Sequence, residues 1–297
     1  MGFGNKKDFG RRRGFSKGFR SLVDSLLAIT KAYIERVTTD GGSVVNDSKV
    51  NDEYQIVSVN EPSIYANSIL HVSRFGGFIL DSSNFISKSY DLSSDNNDLI
   101  QPTASRQPLF EDGVIKSVGI KSLKLATTAN IANQSTGSIL WKGTVNDSGS
   151  AQVLYAIRDS STDIQNGGWQ MILIRNDANT YKIRISIRNQ ENTLTSFDTT
   201  PSFNFGEEIN LMLSSGSDGS NPVLVVNNTS YSTTKVAGDG DYFWMGDATF
   251  VNTAIYGVFG SLDGSSVVQD LITKGFMILD GKEITQAEAQ PIFDSWD

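Results

Sequence analysis

Apolar and polar residues alternate along YKIRISIRN. Tyr181, Ile183, Ile185 and Ile187 fall on one side, and Lys182, Arg184, Ser186 and Arg188 on the other. A period of two is that of a half-buried β-strand. WQMILIR precedes this run across Asn176-Asp177-Ala178-Asn179, so residues 169–188 read as a hairpin. Further strand-like runs are SILWKGT (138–144), AQVLYAIRD (151–159), EINLMLSS (208–215), VLVV (223–226), YFWMG (242–246) and AIYGVFGSL (254–262). NDSGS and SSGSDGSNP separate some of them, and Asn227-Asn228 can hold the positive φ of a tight hairpin. Strand and turn in regular succession predict an all-β fold, a two-sheet antiparallel jelly-roll sandwich.

The two ends carry a different period. Leu22, Leu26, Ile29, Tyr33 and Val37 recur at helical spacing, Ser21 and Asp24 supply a cap pair, and Gly41-Gly42 supplies a stop. The spacing predicts a helix over 21–38, whose apolar stripe needs its own body, another copy or another protein against it. Short strand-like runs follow at 54–59, 68–72 and 77–80, giving a connector. At the far end a strand and an Asp280-Gly281 turn lead to Thr285 and Glu288, spaced as a capping box. The short helix they open would pack Ala287, Ile292 and Phe293, and Pro291 limits its length.

Charge divides the chain. Residues 1–20 hold Lys6, Lys7, Arg11, Arg12, Arg13, Lys17 and Arg20 against Asp8, while the whole chain is −8 and the remainder therefore −14. Glycines separate Phe3, Phe9, Phe15 and Phe19. Such a segment buries too little surface to offset its ordering entropy, so it reads as a flexible basic arm on an acidic body. There is no cysteine, which excludes disulfides, thiolate metal sites and a Cys nucleophile. The single histidine, His71, lies far in sequence from any nucleophile motif and is assigned a structural role. No run is long and apolar enough to span a membrane, and no apolar core of a signal peptide follows the basic start.

NFISKSYDLSSDNNDLIQPTASRQPLFEDGVIKSVGIKSLKL, VLVVNN and ILDGKEITQAEAQPIF resemble, in turn, the entry strands, a hairpin, and the closing strand and helix of the concanavalin A-like (laminin-G-type) jelly rolls of tailed-bacteriophage virion proteins. IERVTTDGGSVVND resembles a segment upstream of such domains, where a short helix ends in a D-G-G turn. The resemblance covers roughly residues 85–297. It implies a minor structural protein of the virion, and leaves the ligand open, since one fold carries glycosidases, lectins and spacers.

The candidate chemistry is sparse. Jelly-roll glucanases place two carboxylates on one strand with E-x-D-x-x-E spacing, which is absent. Glu207 with Glu208, and Glu111 with Asp112, are adjacent and point to opposite faces of a strand. No catalytic residue is assigned. Acidic turns at 95–98, 159–163 and 239–241 offer oxygen ligands, so calcium is the one ion considered, and no cofactor is required. Trp169, Tyr242 and Trp244 are candidate glycan contacts, with packing between the sheets as the competing role. Lys182, Arg184 and Arg188 form a basic stripe that faces an anionic sugar, a neighbouring subunit or water.

These readings divide the chain into an arm (1–20), an anchoring helix (21–42), a connector (43–87) and a jelly roll (88–297). The leading reading is a non-enzymatic virion decoration protein, made in the host cytoplasm. Its arm docks on other head, neck or tail proteins, it forms a homo-oligomer, and its jelly roll reaches host or environmental polysaccharide. One rival is a carbohydrate-binding receptor protein of the tail. Another has the arm contacting nucleic acid inside the particle, although four phenylalanines favour a protein groove over electrostatic tethering.

Overall fold

The computed structural model describes residues 16–60, 62–93, 95–125, 136–158, 168–188, 194–215, 222–238, 255–258 and 268–297. Two antiparallel sheets pack face to face. The larger runs, in spatial order, through Ser43–Val44, Gly77–Leu80, Ile86–Ser89, Leu99–Ile100, Leu123–Leu125, Ile255–Val258, Gln152–Arg158, Gly168–Arg175, Thr180–Arg188, Leu194–Thr199 and Thr233–Ala237. The smaller runs through Thr229–Tyr231, Val223–Val226, Glu208–Ser214, Gly137–Val145, Gln269–Asp280, Val114–Gly119 and Leu109–Glu111, and Ser68–Ser73 also pairs with Gln269–Asp280.

The period-two pattern decides which faces meet. Trp169, Met171 and Leu173, with Tyr181, Ile183, Ile185 and Ile187, are buried on the inner face of the larger sheet. Trp141, Leu211, Leu213, Phe276 and Ile278 face them from the smaller sheet. Tyr155 joins the layers. Its ring lies 5.7 Å from Trp169 in its own sheet and 5.5 Å from Phe276 in the other. Asn227 and Asn228, at φ 47° and 65°, make the two-residue turn between Val223–Val226 and Thr229–Tyr231.

The smaller sheet is covered on its outer face as well. Helix α4 (Gln286–Ser295) follows α1 (Ser16–Thr39), α2 (Asp47–Tyr54) and α3 (Pro62–Asn67) in chain order. Thr285 and Glu288 close the expected capping box on α4. Ala289, Ile292, Phe293 and Trp296 then pack on Leu140, Met277 and Leu279. The Trp296 ring lies directly over Gly275, where a Cβ would overlap it. Beneath the same helix, Lys142 is buried with its ammonium on the Phe293 carbonyl (3.1 Å) and the Asp297 carboxylate (2.6 Å).

Three boundaries differ from expectation. Helix α1 begins at Ser16, so Lys17, Phe19 and Arg20 stand on the helix and not in the arm. Propagating an established helix costs little per residue, and the single Gly18 does not stop it. The apolar run at 54–59 is helical: Asn46 caps α2 by accepting from Lys49 N, and a wide helical turn, Gln55–Asn60, continues it. Val50, Tyr54 and Val57 are then buried at helical spacing, and a short apolar run cannot be told from a strand by periodicity alone. Ser68–Ser73 and Gly77–Leu80 lie inside the two sheets, so the sandwich starts upstream of residue 88.

The overlap at Gly275 gives a prediction. Gly275→Ala displaces the Trp296 ring and lowers stability by about 1–3 kcal/mol, the usual cost of overpacking. Urea unfolding of the two proteins measures it, as a lower midpoint at unchanged slope.

Candidate functional site

The alternation that buries Trp169, Met171 and Leu173 turns Gln170 and Ile172 outward, and burial of Ile185 and Ile187 does the same for Ser186. Register then aligns Ala156, Gln170, Ser186 and Ser196 in one row across four strands. The row is nearly closed to solvent. Gln170 is only 9 % exposed, and Ala156, Ser186 and Ser196 are buried. Ser186 Oγ and Ser196 Oγ lie 3.0 Å apart. The Gln170 side chain makes no hydrogen bond to a described residue, and its amide is not among the buried unsatisfied groups, so its donors and acceptor are open at the surface.

Arg184 and Asp198 border the row in the next register line. The guanidinium grips the carboxylate at two points, Nε to Oδ1 at 2.5 Å and Nη2 to Oδ2 at 2.7 Å. Fork-to-fork pairs are directional and strong, and this one neutralises the middle of the basic stripe. Lys182, half-buried in the following line, makes no ion pair with a described residue. An amide, two hydroxyls and an oriented ion pair on one sheet face can hydrogen-bond a ligand rich in hydroxyl groups.

A second polar region forms the root of α1. Helix α1 ends in a Schellman motif: Gly42 N donates to Val37 O (2.9 Å), Gly41 N donates to Thr38 O (3.0 Å), and Gly41 has φ +83°. Gly42 lies so close to Phe78 O and Tyr90 that a Cβ would not fit. The Arg36 guanidinium sits against the Tyr33 and Tyr90 rings, donating to Asp98 Oδ1 (2.8 Å) and Asp91 O (2.6 Å). Asp40 accepts from Lys88 Nζ (2.5 Å) and the Tyr90 hydroxyl (2.7 Å). Asp91 is buried and accepts from the His71, Ser93 and Asn97 amides, folding the YDLSSDNND loop under the helix. A cleft of about 480 Å³ opens between Glu35, Arg36, Thr39 and Asp40 on one side and Lys88 and Asp98 on the other.

The C-terminal half of α1 is thus held by the body through Tyr33 and Val37. Toward its N-terminal end Asp24, Ser25, Leu27 and Ala28 are exposed, Leu27 by 55 %. Between α1 and α2 an apolar groove of about 550 Å³ is lined by Leu27, Thr30, Ile34 and Asn51.

The residues singled out in the sequence fare differently. Trp169 is fully buried and packs on Tyr155, so it offers no ring to a glycan; its place on the inner face follows from the strand alternation. Tyr242, Trp244 and the arm residues Phe3, Lys6, Lys7, Phe9, Arg11, Arg12, Arg13 and Phe15 lie outside the described residues. So do the acidic turns at 159–163 and 239–241. Of the turn at 95–98, Asp98 is engaged by Arg36 and Lys88. Among the described residues no three His, Asp or Glu side chains gather in a metal-holding group, and no helix is long and apolar enough to cross a membrane. His71 is buried 3.1 Å from Glu53 and 3.4 Å from Trp296 Nε1. Gln170 escaped the sequence reading because WQMILIR looks continuously apolar.

No family model and no curated protein matches the chain. Solved structures do. Trypanosoma rangeli sialidase in complex with 2,3-difluorosialic acid, a covalent intermediate, superimposes with a TM-score of 0.54 at 11 % identity. That match covers 94 % of this chain and 39 % of the sialidase. The binding domain of Paraclostridial mosquitocidal protein 1 gives 0.51 at 13 % identity, over 78 % of this chain and 53 % of that one. The chain thus spans about two fifths and about half of these proteins. At such identities the likeness is one of fold, and the fold is the antiparallel β-sandwich.

Lys88 and the Tyr90 hydroxyl hold the Asp40 carboxyl below the ordinary carboxylate range. A depressed folded-state value contributes stability that is present above the unfolded value and lost as pH falls through the depressed one. The root of α1 therefore weakens on acidification below pH about 4. Asp40→Asn lowers the thermal midpoint at pH 7 and flattens its fall on acidification below pH about 4, read from melting curves of both proteins.

Proposed function

We propose that the chain is a non-catalytic carbohydrate-binding module, mounted on its assembly by α1. The observation that carries this reading is the aligned polar row of Gln170, Ser186 and Ser196 beside the Arg184–Asp198 pair. A saccharide would satisfy the idle Gln170 amide while its hydroxyls meet the serines. The fold adds support, since one similar structure is a sialidase in complex with 2,3-difluorosialic acid and another is the binding domain of a mosquitocidal protein. Catalysis is not part of the proposal. Most glycoside hydrolases take two carboxylates, and the carboxylate described beside the row, Asp198, is spent on Arg184.

The setting we propose is the virion of a tailed bacteriophage. This rests on the resemblance of the entry loop, the D-G-G joint and the closing helix to virion jelly rolls. The joint has a mechanical role: Asp40, Gly41 and Gly42 fix the exit of α1 from the sandwich. A helix rooted at one end and exposed towards the other suits a stalk that brings the basic arm to other virion proteins, or to further copies of the chain.

Two tests address the two parts. Gln170→Ala reduces affinity for a bound oligosaccharide by about tenfold in calorimetric titration while the melting temperature stays within a degree or two. Deleting residues 1–15 leaves melting and sugar binding intact and abolishes incorporation into particles. Full incorporation of the deleted chain would remove the arm from the docking role.

A further inference from the structure

Helix α1 carries a docking surface that the sandwich leaves uncovered. Resting on the mounting half of the proposed function, we infer that the groove between α1 and α2 receives the basic, phenylalanine-bearing arm (residues 1–15) of a second copy of the chain.

The acceptor is built from described side chains. Thr30 ties the two helices by donating its hydroxyl to Asn51 Oδ1 (3.1 Å), and the Tyr33 and Tyr54 rings meet edge-on at 6.1 Å. Beside these contacts the helices leave a groove of about 550 Å³, with Leu27 and Ile34 on its α1 side. Leu27 is 55 % exposed, a large apolar side chain that the body does not cover. An open apolar groove edged by polar residues is the usual mark of a protein-docking site.

Charge selects the occupant. Among the described side chains of α1 and α2, the exposed charges are Asp24, Glu35, Asp47 and Asp52 against Lys31. Glu35 and Asp47 border the groove from opposite helices, and Lys31 lies 3.7 Å from Glu35. Residues 1–15 are the complement: Lys6, Lys7, Arg11, Arg12 and Arg13 against Asp8, interspersed with Phe3, Phe9 and Phe15. A phenylalanine supplies apolar area to Leu27 and Ile34 while its basic neighbours meet the acids. A second α1 in the same groove would set acids against acids, which disfavours helix-on-helix pairing.

Position selects the donor copy. Helix α1 starts at Ser16, directly after the arm, and runs towards the body. Leu27 lies about 17 Å and Ile34 about 27 Å along the helix from that start. To fill its own groove, an arm would have to reverse at the first helical turn and run back along α1. A neighbour's groove demands no reversal, and fifteen extended residues reach roughly 50 Å. Each copy then has one donor arm and one acceptor groove, and the arm's ordering cost is met on docking.

Sedimentation equilibrium of full-length chains tests the exchange. Wild type should self-associate as concentration rises, and less so in added salt. Leu27→Lys puts a charge of the arm's own sign in the groove. A triple variant, Phe3→Ser with Phe9→Ser and Phe15→Ser, removes the apolar anchors and keeps the charge. Each should associate at least tenfold more weakly than wild type, with melting unchanged. Mixed together, the two variants should form a one-to-one complex, because the first still offers an arm and the second an intact groove. Mixed variants that stay apart, beside a self-associating wild type, would overturn the arm as occupant. Association that neither variant weakens would overturn the groove. A monomeric wild type would overturn exchange between copies. If a peptide of residues 1–15 then bound the triple variant and not the wild type, the chain's own arm would be the occupant. A monomeric chain that loses particle incorporation on deletion of residues 1–15 would leave the mounting reading standing, with another virion protein as partner; retained incorporation would remove that reading as well.

Discussion

Tyr155 is the point on which the two layers depend. Its ring meets Trp169 in one sheet and Phe276 in the other, so the sheets are held in a fixed relation by large apolar surfaces near the centre of the sandwich. Burying such rings is the largest favourable term available to a chain without disulfides. The same constraint sets the outer surface. Because side chains alternate along a strand, anchoring Trp169 inward commits Gln170 outward, and anchoring Ile185 and Ile187 commits Ser186. The candidate site is therefore a by-product of core packing.

The sheets play unequal parts. The smaller has both faces packed, one on the larger sheet and one under α4, with Lys142 and Trp296 sealing the joint. It is the stable back of the molecule. The larger sheet keeps an outward row of polar groups across its central strands and receives the foot of α1 near Ser43–Val44 and Gly77–Leu80. The foot of α1 and the polar row thus occupy the same sheet at different places. The ionic root of α1 joins Arg36, Asp40, Lys88 and Asp98, residues far apart in sequence, and this explains why the YDLSSDNND loop carries so many acids: Asp91 folds the loop, and Asp98 ties it to the helix.

Much of the framework was legible in the sequence. The strand at 180–188, the Asn227-Asn228 turn and the Thr285–Glu288 box each carry a local signal strong enough to survive folding. The helical turn at 55–60 was hidden, because QIVSVN has the composition of a strand and only the cap at Asn46 and the buried spacing of Val50, Tyr54 and Val57 reveal a helix. The site was legible in part. Lys182, Arg184, Ser186 and Arg188 were visible as one face of an alternating strand. Gln170 and Ser196 were not, since their membership depends on register between strands, which no single strand encodes. The choice of Trp169 as a sugar contact failed for the converse reason: an aromatic at the start of a strand gives no sign of which face it takes until its neighbours are paired.

A crystal structure of the full chain soaked with an oligosaccharide that it binds would test the central claim most directly. The account predicts sugar density over the outward row of the larger sheet, with ring hydroxyls within hydrogen-bond distance of Gln170 and Ser186. Density confined to the cleft between Arg36 and Lys88, or to the covered face of the smaller sheet, would contradict it.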